Sequence, residues 1–125
     1  MSVEIISFGY LHATPPTAHA VIDLRVHFRD PHWNPELRQL TAWDEPVAQA
    51  VMATPGIPAV VDALHALARA YLSGPADAPL VLAIGCAGGR HRSAQTSIAL
   101  CQRLREDGIT ATVTHRDIYL PVVAR

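Results

Sequence analysis

The chain alternates short β-rich runs with stretches of helical period. Val3 to Phe8 and Ala20 to Val26 (AVIDLRV) are rich in Val, Ile and Phe, and a proline-rich segment around Pro15 and Pro16 separates them, so each predicts a strand. From His27 to Asp44 the sequence HFRDPHWNPELRQLTAWD holds Pro31, Pro35 and two tryptophans without a sustained period, which predicts a long ordered loop. Asp44 stands where a cap would start a helix through Glu45, Pro46 and Val47 to about Ala53, with the proline tolerated in the first turn. Ile57, Val60, Val61, Leu64, Leu67, Ala68, Tyr71 and Leu72 then recur at three- and four-residue steps, one apolar stripe that stops before Gly74. His65 and Arg69 fall off that stripe and read as solvated.

PLVLAIG, residues 79 to 85, is continuously apolar, as a strand of a buried parallel sheet would be. Ala94, Ile98, Cys101 and Leu104 mark a helix from about Arg92 to Glu106 that Gly108 stops, and TATVTH forms a last strand. Strand, helix, strand predicts a right-handed crossover. The fold class is therefore α/β: a single domain over residues 1 to 125, with a small, mostly parallel sheet flanked by helices.

Composition narrows the function classes. One domain of 125 residues, half of them hydrophobic, with 17% charged residues and a net charge of -1, is a globular profile without the basic excess of a nucleic-acid-coating protein. No signal peptide and no membrane-length apolar stretch are visible, so a cytoplasmic protein with no membrane partner is expected. Cys86 and Cys101 are expected to remain thiols, and neither has a neighbour at metal-ligand spacing, so no metal and no cofactor are implied. All ten basic residues are arginine, whose planar fork suits carboxylate or phosphate.

The chemistry concentrates in IGCAGGRHRS, residues 84 to 93. Ligands of open α/β sheets collect beyond the carboxyl ends of the strands, where this turn must lie. Gly88 and Gly89 allow a tight turn and a close backbone approach, the following helix offers unpaired N–H groups, Arg90 and Arg92 add charge, and His91 and Ser93 add polar side chains. With Cys86 and Ala87 this predicts a cradle for a phosphate-like anion. The same stretch has the spacing of a cysteine-dependent phosphatase loop, Cys86, five residues, Arg92, then Ser93, in which Cys86 would be the nucleophile, Arg92 would hold the phosphoryl oxygens and Ser93 would stabilise the thiolate. No histidine precedes that cysteine; Asp23, Asp44 and Asp117 are the candidate general acids.

SFGY (7 to 10), DLR (23 to 25), PHWNPELRQLT (31 to 41), IGCAGGRHRS and THRD (114 to 117) together, in this order, resemble the C-terminal domain of the RNase adapter protein RapZ over nearly the whole chain. The resemblance implies an α/β domain that senses glucosamine-6-phosphate, in a family whose full-length members add a nucleotide-binding domain and bind small RNAs. It makes the turn from Cys86 to Ser93 the phosphosugar loop and Asp23, Arg25 and His32 its facing wall. Ala87 stands where the family commonly has threonine, and Ala42 where it has glycine. No GxxxxGK[ST] segment is present, and there is no lysine to build one.

His115, Arg116 and Asp117 resemble a kinase catalytic loop only superficially. Closing the last strand, His115 and Arg116 would either line the same pocket or form a strand-end cluster with Asp117. Trp33 and Trp43 are expected to anchor the loop in the core, and Cys101 to pack. The leading expectation is a stand-alone regulatory module that binds a small phosphorylated metabolite without catalysis. The alternatives are a phosphatase, or an RNA adapter that assembles Arg29, Arg38 and Arg103 from several copies of a homo-oligomer.

Overall fold

The computed structural model describes residues 2–125. Strands β1 (Ser2–Gly9), β2 (Ala20–Asp23), β3 (Leu80–Cys86) and β4 (Thr110–His115) form one sheet in the order β2-β3-β1-β4. All three pairings are parallel. Helices α1 (Glu45–Met52), α2 (Ile57–Leu72) and α3 (Arg92–Glu106) complete the α/β domain.

Alternation decides which face the helices cover. Val3 and Ile5 of β1, Leu80, Leu82 and Ile84 of β3, and Ala111 of β4 point into the core with Leu64, Ala68, Leu100 and Leu104 of the helices. Their neighbours Glu4, Thr112 and Thr114 are exposed, so the helices cover one face of the sheet. β3 is buried along nearly its whole length, as its apolar run requires. His65 and Arg69 of α2 are not simply solvated: both bond to Asp107 just beyond α3 and tie the two helices together.

Two local outcomes differ from the pattern reading. β2 ends at Asp23 and not at Val26, because the carbonyls of Leu24 and Arg25 turn away from the sheet to meet Arg92. Asp44 occupies the N-cap position of α1, but its carboxylate accepts from the Thr41 amide behind it and not from the helix.

Register brings the chemistry to one edge. Gly9 pairs with Cys86, Asp23 with Gly85 and Ser7 with His115, so all four strands finish at nearly the same level. The turn between β3 and α3 crosses β1 at closest approach. A Cβ on Gly9 would lie 2.5 Å from the Gly88 carbonyl carbon, and one on Gly89, whose φ is +77°, would lie 2.9 Å from both the Asp117 Cβ and the Gly9 nitrogen. Only glycine permits this packing of backbone on backbone.

Candidate functional site

The turn folds inward. Cys86 is 2% exposed, its Sγ donates to Ser93 Oγ at 3.1 Å and accepts from the Gly89 amide at 3.3 Å. Ala87, Gly88 and Gly89 are buried with it. His91 is buried as well and its Nε2 meets the Leu40 carbonyl at 2.9 Å. Burial pushes the His91 imidazole below its ordinary pKa by more than the Leu40 carbonyl raises it, so the ring is neutral at pH 7. No side chain caps α3, and its first-turn amides have no acceptor within the helix.

The arginines of this region bind the protein itself. Arg92 is 2% exposed; its Nη1 donates to the carbonyls of Leu24, Arg25 and Phe28 at 3.1, 3.0 and 2.8 Å, and its Nη2 pairs with Asp30 at 3.1 Å. One guanidinium thus closes the loop after β2 onto α3. Arg90 does the same for two other segments, through the carbonyls of Leu120 and Gln39. Arg116 forks onto Asp117 and reaches the carbonyls of Thr14, Gly9 and Ala13 while lying 5.2 Å over the Phe8 ring. The guanidinium that a cysteine phosphatase would aim at phosphoryl oxygens is therefore turned away from Cys86, and this geometry gives that reading no support.

Asp23 and Arg25 form an exposed forked pair, with the Arg25 guanidinium 3.7 Å over the Tyr10 ring. His115 is separated from the turn. Its Nδ1 meets the buried Ser7 hydroxyl at 2.6 Å, Trp43 packs edge-on against its ring, and it borders a cavity of about 310 Å³ with Ile98, Arg105 and Val113 on the helical face. Arg116 pairs with Asp117, the strand-end alternative. Arg103 pairs with Asp62 of α2, whereas Arg29 and Arg38 share the loop after β2.

The residue that organises the accessible side of the site is Asp30. Burial alone would raise its carboxyl, but the His32 amide and the charges of Arg92 and Arg125 outweigh burial and hold it ionised. Arg125 Nη2 pairs with Asp30 at 3.1 Å. The same guanidinium covers Gly88: a Cβ built there would meet only Arg125 Nη2 and Nη1, at 3.6 and 3.7 Å. A cavity of about 470 Å³ opens beside it, walled by Asp30, His32, Trp33, Arg38 and Arg125. His32 lines it too; among the described residues its buried Nδ1 has no hydrogen-bond partner, and burial followed by the Arg125 charge lowers the ring below its ordinary pKa.

Of the three residues expected to form the facing wall, His32 lines this cavity and Asp23 and Arg25 do not. Asp30 and Arg125 were not anticipated. Asp30 was marked in the sequence only by its place before Pro31 as the cap of a short 3-10 turn, Pro31–Trp33, and Arg125 by nothing, because its contact with Gly88 spans 37 residues. The tryptophans depart from expectation: Trp33 is 76% and Trp43 57% exposed, so neither anchors the loop in the core. Pro31 and Leu37 do that instead.

Among the described residues no single helix is long and apolar enough to cross a membrane. Both cysteines are free thiols.

Comparison with known proteins places this arrangement. The chain is 40% identical to a nucleotide-binding protein of Thermobifida fusca over 121 residues, which are 94% of this chain and 41% of that protein. It is 38% identical to a nucleotide-binding protein of Bifidobacterium adolescentis and 37% identical to one of Streptomyces avermitilis, in each case over 94% of this chain and about two-fifths of the relative. The chain therefore spans about two-fifths of the length of these curated relatives. The family model described as the RapZ C-terminal domain matches residues 1–119, which takes in all four strands, the turn after β3 and the loop that carries Asp30, and leaves Arg125 outside. With the sheet, the turn and that loop all inside the match, the chain belongs to the RapZ C-terminal domain family.

Proposed function

We propose that this domain binds a small phosphorylated metabolite, an amino-sugar phosphate such as glucosamine-6-phosphate, in the cavity beside the glycine-rich turn, and serves as a sensing or regulatory module and not as a catalyst. The observation that carries the reading is the cover on Gly88: the Arg125 guanidinium lies over a turn that leads into the uncapped start of α3, and Arg125 also lines the cavity. An entering phosphoryl group meets Arg125 and Arg38 first. Drawing Arg125 onto the phosphoryl oxygens uncovers the turn, where the helix's free amides and its positive end favour an anion. Asp30, released from Arg125 and still ionised beside Arg92, then accepts from a sugar ammonium, with His32 on the same cavity wall.

The relatives' printed name, nucleotide-binding protein, describes chains more than twice as long and is compatible with a phosphorylated ligand here. A thermal-shift series tests the reading: glucosamine-6-phosphate should raise the melting temperature in a dose-dependent way, and Arg38→Ala or Arg125→Ala should weaken that response about tenfold each, as the loss of one charge-assisted contact would. No stabilisation by any phosphorylated sugar or nucleotide at millimolar concentration would sink it. Hydrolysis of p-nitrophenyl phosphate that disappears in Cys86→Ser would favour the enzyme instead.

A further inference from the structure

We infer that Trp33 is the ring-binding wall of this site, its indole face receiving the pyranose ring of the phosphorylated ligand; the inference rests on the phosphate-binding reading above. Trp33 is 76% exposed, yet the backbone beneath it is fixed. Its amide donates to the Asp30 carbonyl at 3.1 Å, the next amide donates to Pro31 at 2.9 Å, and the Asp30 carboxylate accepts from the His32 amide at 3.0 Å. Arg38 Nε holds the His32 carbonyl at 2.7 Å, and the buried Arg92 grips Asp30 from below. Pro31 is buried beside it and Leu37 belongs to the core.

An indole held outward on a fixed turn keeps a large apolar face available to a partner, and here that turn is surrounded by cavities. Three cavities, of about 530, 490 and 470 Å³, converge on it, each bordered by both Trp33 and Asp30. The third has Trp33, Arg38 and Arg125 on one wall, so a ligand with its phosphoryl group at the guanidiniums can set its ring against Trp33. A pyranose suits this wall because the C–H groups of one ring face are apolar and weakly positive and meet the negative face of the indole, while its edge hydroxyls turn to polar groups such as Arg29 and Asn34 on the neighbouring cavity wall. Since the backbone beneath the ring is already held by hydrogen bonds, little main-chain entropy is lost when the ligand arrives.

The test uses Trp43→Phe, which leaves Trp33 as the one indole of the chain, Trp43 lying on the separate cavity beside His115. Glucosamine-6-phosphate should change Trp33 emission, and inorganic phosphate, competing for the same guanidiniums, should not. Trp33→Ala should lower the affinity for the sugar phosphate about tenfold relative to inorganic phosphate, and Trp33→Phe should recover most of that ratio. An unchanged ratio in Trp33→Ala, with both compounds still binding, overturns the ring wall and leaves the phosphate site standing. An emission change with adenosine monophosphate and none with the sugar phosphate also overturns it. Absence of binding by either phosphate compound overturns the underlying reading together with it.

Discussion

Two Arg–Asp pairs show how little the residue types decide by themselves. Arg92 and Asp30 meet beneath the loop after β2, with side chains 2% and 16% exposed, and the guanidinium also closes three backbone carbonyls. Arg103 and Asp62 meet on the outside of α2 and α3 with side chains 42% and 64% exposed, and among the described residues neither side chain has another partner. In the first pair, the guanidinium is out of water and every partner depends on it; in the second, water and salt replace either partner at almost no cost. The buried pair shapes the loop that carries Asp30, His32 and Trp33, whereas the exposed pair decorates a helix contact that apolar packing already holds.

The largest effect should come from Arg92→Ala. It leaves the Asp30 charge and the carbonyls of Leu24, Arg25 and Phe28 without their donor, and should cost about 3–5 kcal/mol in a urea denaturation series, enough to unfold the loop or the domain. A loss below about 1 kcal/mol would mean that the carbonyls find water and that the clamp is not structural.

Acidification should act next. His91 and His115 have pKa values lowered by burial from the ordinary 6.5, so the unfolded chain binds protons near pH 6.5 that the folded chain takes up only at lower pH. The unfolded state then holds more protons, and stability falls as the pH drops below about 6.5. A second loss follows below 3.8, as the pH approaches the depressed folded values of Asp30 and Asp117, whose ionised forms the fold favours. Urea midpoints at pH 7.5 and 5.5 should differ, and His91→Gln should reduce the difference; equal midpoints in the wild type would show that these rings are not held neutral.

The smallest effect should be that of Arg103→Ala, within about 0.5 kcal/mol of wild type and smaller still at high salt. A cost comparable with that of Arg92→Ala would abolish the distinction between the two pairs.

The fold was legible for reasons of period. α3 begins at Arg92 and ends at Glu106, where the apolar repeat and Gly108 place it, and TATVTH is β4 residue for residue. The position of the turn was legible too, because glycines after a buried strand can lie only at its carboxyl end. The direction of its side chains was not. Arg90, Arg92 and Arg116 carry the charge expected of an anion cradle, yet each faces carbonyls of distant segments, contacts separated by up to 107 residues that no local spacing reveals. Trp33 misled for the opposite reason: its aromatic character suggests burial, but the 3-10 turn capped by Asp30 rotates it outward and sends Pro31 inward.

By itself, then, the sequence determined the parallel sheet, its helices and the glycine-lined junction between β3 and α3, because periodicity and glycine's conformational freedom are properties of neighbours along the chain. Tertiary structure alone decided which arginines clamp the backbone and which border the cavity, how Arg125 comes to cover Gly88, and why His115 leaves the site for the helical face. A guanidinium takes whichever acceptors the fold brings near it, and those acceptors are fixed only when all four strands are in register.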